Sequence, residues 1–240
     1  MPSRDLLIRA WFVSLAVSAV VFSAFPEVDQ AASRMFWDGV AFPFAKDPLL
    51  QMLREVVWFL SLATVLAAVV GLIIAIVTGR TVAYLSARCW AFLLTVNLLG
   101  PGLVVNAGLK SYWGRARPDQ IEAFGGVKTF TPALIPSDQC MSNCSFTSGE
   151  AASSMALAIA VLLFAHRLQG RLSVWSILAA SILALVGSGL RIAFGRHFLS
   201  DVLFSWLIVV GVALAIGPIF LRPRLPSPAL KPDAGTPSEA

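Results

Sequence analysis

The sequence predicts an all-α fold: an integral-membrane bundle of six helices. Three observations carry this reading. Hydrophobic residues make up 58% of the 240 and charged residues 13%, where a soluble domain carries about 25% charged residues. Six nearly charge-free apolar runs, at residues 10–26, 56–79, 89–109, 151–165, 172–190 and 202–221, mostly approach the roughly 20 residues that cross a bilayer as helix. The basic residues fall between these runs in alternation, as the positive-inside bias requires.

Taken in order, the first run follows Arg4 and Arg9, which places the N-terminus in the cytoplasm. The same run also reads as a cleaved signal peptide, with small residues near Ser23 and Ala24, a reading that leaves the other spans oriented as before. The connection to the second run carries Glu27, Asp29, Asp38, Asp47 and Glu55 against Arg34, Lys46 and Arg54, so it is net acidic and belongs outside. Its Phe36, Trp37, Phe42 and Phe44 either lie along the headgroup layer or belong to an ordinary folded loop.

Arg80 and Arg88 separate the second and third runs on the cytoplasmic side. A second outer loop, residues 110–148, is the longest connection, and it carries Lys110, Arg115, Arg117 and Lys128 on the side where positive charge is unexpected. Cys140 and Cys144 share that loop, and a Cys-x3-Cys pair in an oxidising compartment points to a small disulfide before a metal site. His166 and His197 fall at opposite membrane faces, so they cannot share a metal. Arg167 and Arg171 lie between the fourth and fifth runs, and Arg222, Arg224 and Lys231 follow the sixth, so both termini are cytoplasmic. Residues 1–222 thus form one membrane domain, and 223–240, rich in Pro, Ser and Ala with no apolar period, read as a disordered cytoplasmic tail.

The net charge of +5 does not indicate nucleic acid, because the basic residues are scattered and no aromatic-interleaved basic cluster occurs. Three outer-facing stretches instead bring ionisable residues to one membrane depth: "KSYWGRARP" with Lys110 and Arg117, "SFTSGEAAS" with Ser148, Gly149 and Glu150, and "SGLRIAFGRHFLSDVL" with Arg191, His197 and Asp201. Lys110, Arg117 and Arg191 offer a trivalent cationic pocket, and arginine's planar fork suits phosphate oxygens. Ser148 and Gly149 precede a helix whose backbone amides and dipole favour another phosphate oxygen. His197 and Asp201 stand four apart, a nucleophile with its orienting carboxylate. Singly, an Arg-Pro pair or a histidine beside a membrane is an anchor or a packing residue. Together they are costly unless functional.

The spacing Lys110-x6-Arg117-Pro118, then Ser148-Gly149, then Ser188-x2-Arg191-x5-His197-x3-Asp201 resembles the three-part signature of the type 2 phosphatidic acid phosphatases, integral-membrane lipid phosphatases. The resemblance implies cofactor-free, metal-independent hydrolysis of a phosphorylated lipid through a phosphohistidine on His197, at the periplasmic face of a bacterial inner membrane. Asp201 would orient His197, while Lys110, Arg117, Arg191, Ser148 and Gly149 would bind phosphate. Bacterial members act on phosphatidic acid, phosphatidylglycerol phosphate, undecaprenyl diphosphate and the phosphates of lipid A. The long second loop favours a bulky headgroup such as lipid A.

Two positions depart from that pattern. Leu190 stands where the family commonly has Ser before its Arg. Glu150 stands where it has His, the residue that protonates the leaving oxygen and later activates water. Glu150 either takes over that acid and base work or is a salt-bridge partner that holds an arginine. The same residues allow transfer of phosphate to another lipid hydroxyl, or a non-catalytic lipid-binding or transport protein, against which the His197/Asp201 pair argues. A channel is disfavoured by the near absence of ionisable residues at midplane.

Overall fold

The computed structural model describes residues 3–221, so the tail expected from residue 223 onward lies outside the described residues. The described residues are helical, with isolated β-bridges as their only sheet-like pairing. Six helices are long and apolar enough to cross a membrane, as the sequence predicts: Arg4–Ala24 (α1), Pro48–Thr78 (α3), a broken span over Ala87–Tyr112, Gly149–Gln169 (α6), Val174–Ala193 (α7) and Leu199–Leu221 (α8).

Helix α1 is capped by Ser3, whose hydroxyl accepts from the Leu6 amide, and it packs against α8, with Trp11 Nε1 donating to the Leu207 carbonyl at 2.7 Å. A short helix, Glu27–Arg34 (α2), follows. Helix α3 begins well before the apolar run that announces it. Asp47 is its N-cap, accepting from the Leu50 amide at 2.9 Å, and Pro48 occupies the first turn where its missing N–H costs nothing. The extension carries Arg54 onto a rigid helix at the outer end of the bundle. Gly79, with φ +65°, ends α3 in the left-handed conformation that favours glycine.

The third span starts as Ala87–Asn97 (α4), widens into a π-helical stretch over Leu98–Leu109, and closes with one turn, Lys110–Tyr112 (α5). Pro101 sits inside the π stretch, where it cannot donate to the ladder. The Asn106 side chain reaches back to the Pro101 carbonyl at 2.7 Å, satisfying one of the groups this irregularity frees.

Small residues let the helices approach, as expected where lipid supplies no hydrophobic drive between them. Ala152, Ala156 and Ala160 of α6 meet Val96, Val105 and Val209 in the central cluster. Ala158 meets Ala180 and Ala184 between α6 and α7. A Cβ at Gly71 would fall 2.5 Å from the Trp90 ring, so that approach requires glycine.

The first connection is folded against the second loop. Phe42 and Phe124 meet edge to face at 5.5 Å with Trp37 beside them, and this aromatic group packs with Ala116, Ile121 and Phe198 of the second loop and the α7–α8 turn. The two outer loops therefore form one lid-like layer over the outer ends of α6, α7 and α8.

Candidate active site

His197 lies in the turn between α7 and α8 and is only 1% exposed. Its Nδ1 is 2.8 Å from the Ser145 carbonyl oxygen. A carbonyl can only accept, so Nδ1 carries the proton and Nε2 keeps its lone pair. Burial is the main influence on this ring and pushes its pKa down to about 4, with Asp201 partly opposing. The imidazole is therefore neutral at ordinary pH.

Asp201 lies beside that ring, in ion-pair reach but outside hydrogen-bond distance. Its nearer oxygen is 3.7 Å from Nδ1. It instead accepts from Arg115 Nη1 at 2.7 Å, from the Ser145 hydroxyl at 2.5 Å and from the Phe198 amide at 2.8 Å. Asp201 thus fixes the Ser145 segment, and the Ser145 carbonyl fixes the histidine. Its field acts on the imidazole from beyond the hydrogen-bonded shell.

Beneath this pair lies a group that motif spacing did not single out. Arg115 is fully buried and spans two carboxylates, Asp201 and Asp29 of α2, the second at 2.8 Å. It also donates to the Thr131 carbonyl at 2.9 Å, and its guanidinium stacks 4.2 Å over the Phe198 ring. Asp29 in turn receives the Ser200 amide at 2.8 Å and the Ser200 hydroxyl at 2.5 Å. Burial raises the pKa of Asp29 and the Arg115 charge opposes it. The useful sequence signal was a second arginine on the outer side, Arg115, facing a net acidic first connection.

The cationic residues do converge. Lys110, Arg117 and Arg191 lie within one another's electrostatic reach. Arg117 is tied by Nη2 to the Asn143 carbonyl at 2.7 Å. Arg191 is 8% exposed, and its Nε is buried without a partner, so a donor stands ready for an incoming oxygen. Lys110 accepts the Cys144 amide on its backbone carbonyl at 3.2 Å, which ties the loop bridged at Cys140–Cys144 to the clamp.

Ser148 is the N-cap of α6. Its hydroxyl accepts from the Ala151 amide at 3.3 Å and its own amide donates to the Asp201 carbonyl at 3.4 Å. The hydroxyl only accepts there, so its own proton stays free to donate, and the Gly149 and Glu150 amides open the helix beside it. Gly149 has no room for a side chain, because a Cβ there would lie 2.4 Å from Asn106 Oδ1.

Glu150 is in an ion pair. Arg54 Nε and Nη2 donate to its two oxygens at 2.8 and 2.7 Å, and Arg191 Nη1 lies 3.4 Å from one of them. Sequence reasoning left this pairing as an alternative but did not find its partner, because Arg54 is 96 residues away and precedes the apolar run. Among the described residues, no three His, Cys, Asp or Glu side chains gather as a metal site.

A buried neutral imidazole with one free nitrogen, set among three cations at one end of a bundle of membrane-length helices, fits a membrane-embedded phosphatase. The chain belongs to the PAP2 superfamily, whose pattern it matches over residues 89–222. It is similar to a lipid A 4'-phosphatase of Rhizobium leguminosarum, 35% identical over 225 residues that cover 87% of this chain and 93% of that protein. A lipid A 4'-phosphatase of Rhizobium etli is 36% identical over 225 residues, covering 87% of this chain and 84% of that protein. A lipid A 4'-phosphatase of Francisella tularensis subsp. novicida is 41% identical over 123 residues, 49% of this chain and 52% of its own length. No solved structure matches the chain.

Proposed function

We propose that this protein hydrolyses the phosphate monoester of a lipid A-type glycolipid at the periplasmic face of the inner membrane, through a phosphohistidine on His197. The observation that carries the reading is the tautomer: the Ser145 carbonyl holds Nδ1–H and leaves Nε2 as the nucleophile. In the first half-reaction the Nε2 lone pair forms a bond to phosphorus, the bond from phosphorus to the lipid oxygen breaks, and that oxygen leaves with a proton. Lys110 is the clamp residue able to give one, because an arginine does not deprotonate. Arg117, Arg191 and the Gly149 and Glu150 amides take the charge that gathers on the equatorial oxygens.

In the second half-reaction water attacks phosphorus, its proton passes to Glu150, and His197 is released. A lipid substrate is supported by an apolar groove of about 400 Å³ beside the clamp. Leu53 and Leu190 line it, next to Arg54 and Arg191 in the chain, together with Phe36, Phe44 and Leu50. The lipid A headgroup is supported by the similarity to three proteins of that activity, two of them over most of both chains. The outward site and cytoplasmic termini are supported by the placement of Arg80, Arg88, Arg167 and Arg171 at the opposite end of the bundle.

The test is phosphate release by the purified protein in detergent from lipid A, phosphatidic acid, phosphatidylglycerol phosphate and undecaprenyl diphosphate, with EDTA present and His197→Ala in parallel. Release from lipid A above the others, lost in His197→Ala and indifferent to EDTA, is expected. Equal release from short-chain phosphatidic acid would remove the headgroup assignment, and release that survives His197→Ala would remove the nucleophile.

A further inference from the structure

We propose that Arg54 is a positioning residue that holds Glu150 as the proton acceptor for the second half-reaction; this rests on the phosphohistidine reading above. Arg54 belongs to α3 and lies outside the stretch, residues 89–222, that matches the family. Both Glu150 oxygens accept from the Arg54 fork, so the carboxyl has no proton to give to a leaving oxygen. Glu150 serves as a base only.

Placement explains why the fork is needed. Glu150 sits in the first turn of α6 with Lys110, Arg117 and Arg191 nearby, and an unrestrained carboxylate there would close onto them and occupy the phosphate site. Arg54 takes both oxygens from α3, so that although Arg191 Nη1 also lies within ion-pair distance of one of them, at 3.4 Å, the Arg191 Nε remains unpartnered. The Arg54 and Glu150 side chains are 27% and 19% exposed, so water reaches the carboxylate, and each oxygen retains a lone pair beyond the one Arg54 takes. The step balances: a water oxygen bonds to phosphorus, the P–Nε2 bond breaks with its electron pair returning to the imidazole, and the water proton passes to Glu150 and on to solvent.

The experiment is a rapid-quench measurement with lipid A carrying radiolabelled phosphate, stopped in alkali, where phosphohistidine survives. Wild type, His197→Ala, Arg54→Met, Arg54→Lys, Glu150→Gln and the double variant Arg54→Met/Glu150→Gln are compared. In Arg54→Met the protein-bound label should form within about threefold of the wild-type rate but decay at least about tenfold more slowly, since a positioned base contributes on the order of a hundredfold or more. Arg54→Lys should restore part of the decay rate, because an ammonium makes no bidentate fork; it also serves if the methionine variant does not fold. The double variant should decay no more slowly than Glu150→Gln, as expected of groups that act as one unit.

Label that forms in wild type, vanishes in His197→Ala and decays at the wild-type rate in Arg54→Met and Arg54→Lys would overturn the role of Arg54 while leaving the nucleophile in place. Formation and decay slowed alike, or additive effects in the double variant, would make the ion pair a purely structural contact. Label absent from every form would overturn the phosphohistidine reading and this inference with it.

Discussion

Replacing Asp29 by alanine tests how the buried charge group supports the site. Asp29 shares Arg115 with Asp201, at 2.8 and 2.7 Å, and neither the arginine nor the two carboxylates reach solvent. Removing one partner of a buried pair costs about 3–5 kcal/mol because a charge is left uncompensated. Here Arg115 retains Asp201, while Ser200 loses the acceptor of both its amide and its hydroxyl. The cost should therefore sit near the lower end, about 3 kcal/mol, a change of roughly a hundredfold in the folding equilibrium. Asp29→Asn keeps an acceptor for Ser200 and should cost less. The assay is reversible unfolding in mixed micelles, with kcat measured on the folded fraction, where Asp29→Ala should also lower kcat because Arg115, which holds Asp201, loses one of its two anchors. A stability within about 0.5 kcal/mol of wild type, the range of an ordinary surface substitution, would refute the reasoning.

Three further outcomes are expected. His197 has its folded pKa drawn down to about 4 from 6.5, so the unfolded chain takes up a proton first as pH falls. The folded state binds fewer protons between those values, and stability attributable to this residue is lost as pH is lowered through that window, on the order of 2 kcal/mol by pH 5. Melting curves of wild type and His197→Ala from pH 7 to 5 should converge by that amount, and a constant gap would contradict it. Gly149→Ala forces a contact of 2.4 Å with Asn106 and should lower activity tenfold or more, on the order of 1.4 kcal/mol, by moving the helix start that faces phosphate. Undiminished turnover would show that the helix end is not part of the clamp. Replacing Cys140 and Cys144 by serine opens a loop of sequence separation 4, for which loop closure gives about 2 kcal/mol at most. A small drop in Tm with little change in kcat should follow; abolished folding would show that the bridge does more than close a loop.

The architecture was legible because bilayer thickness imposes long apolar runs. The convergence of Lys110, Arg117, Arg191 and His197 was legible because each lies at the outer end of a span, so sequence position translates directly into depth. What escaped was of two kinds. The orienting group for His197 is a backbone carbonyl, Ser145, and any residue type supplies a carbonyl. The other partners, Arg54 and Asp29, are distant in the chain and lie on elements whose start the apolar pattern did not mark. For Arg54 a local signal existed: Asp47 followed by Pro48 is a helix start, and extending the span to it places Arg54 one helical stretch from the membrane. Asp201 is legible in position but not in its hydrogen bonds. Four-residue spacing puts it on the correct face, yet Arg115 and Ser145 occupy its oxygens before the histidine can.

The central claim is that phosphate passes through His197 before it reaches water. Each in-line displacement inverts the configuration at phosphorus, so two of them restore it. The direct measurement is hydrolysis of a lipid phosphorothioate, chiral at phosphorus through two oxygen isotopes, in water enriched in the third, followed by the configuration of the released thiophosphate. Net retention is the predicted result; net inversion would mean that water attacks the lipid phosphate directly and that His197 is no nucleophile.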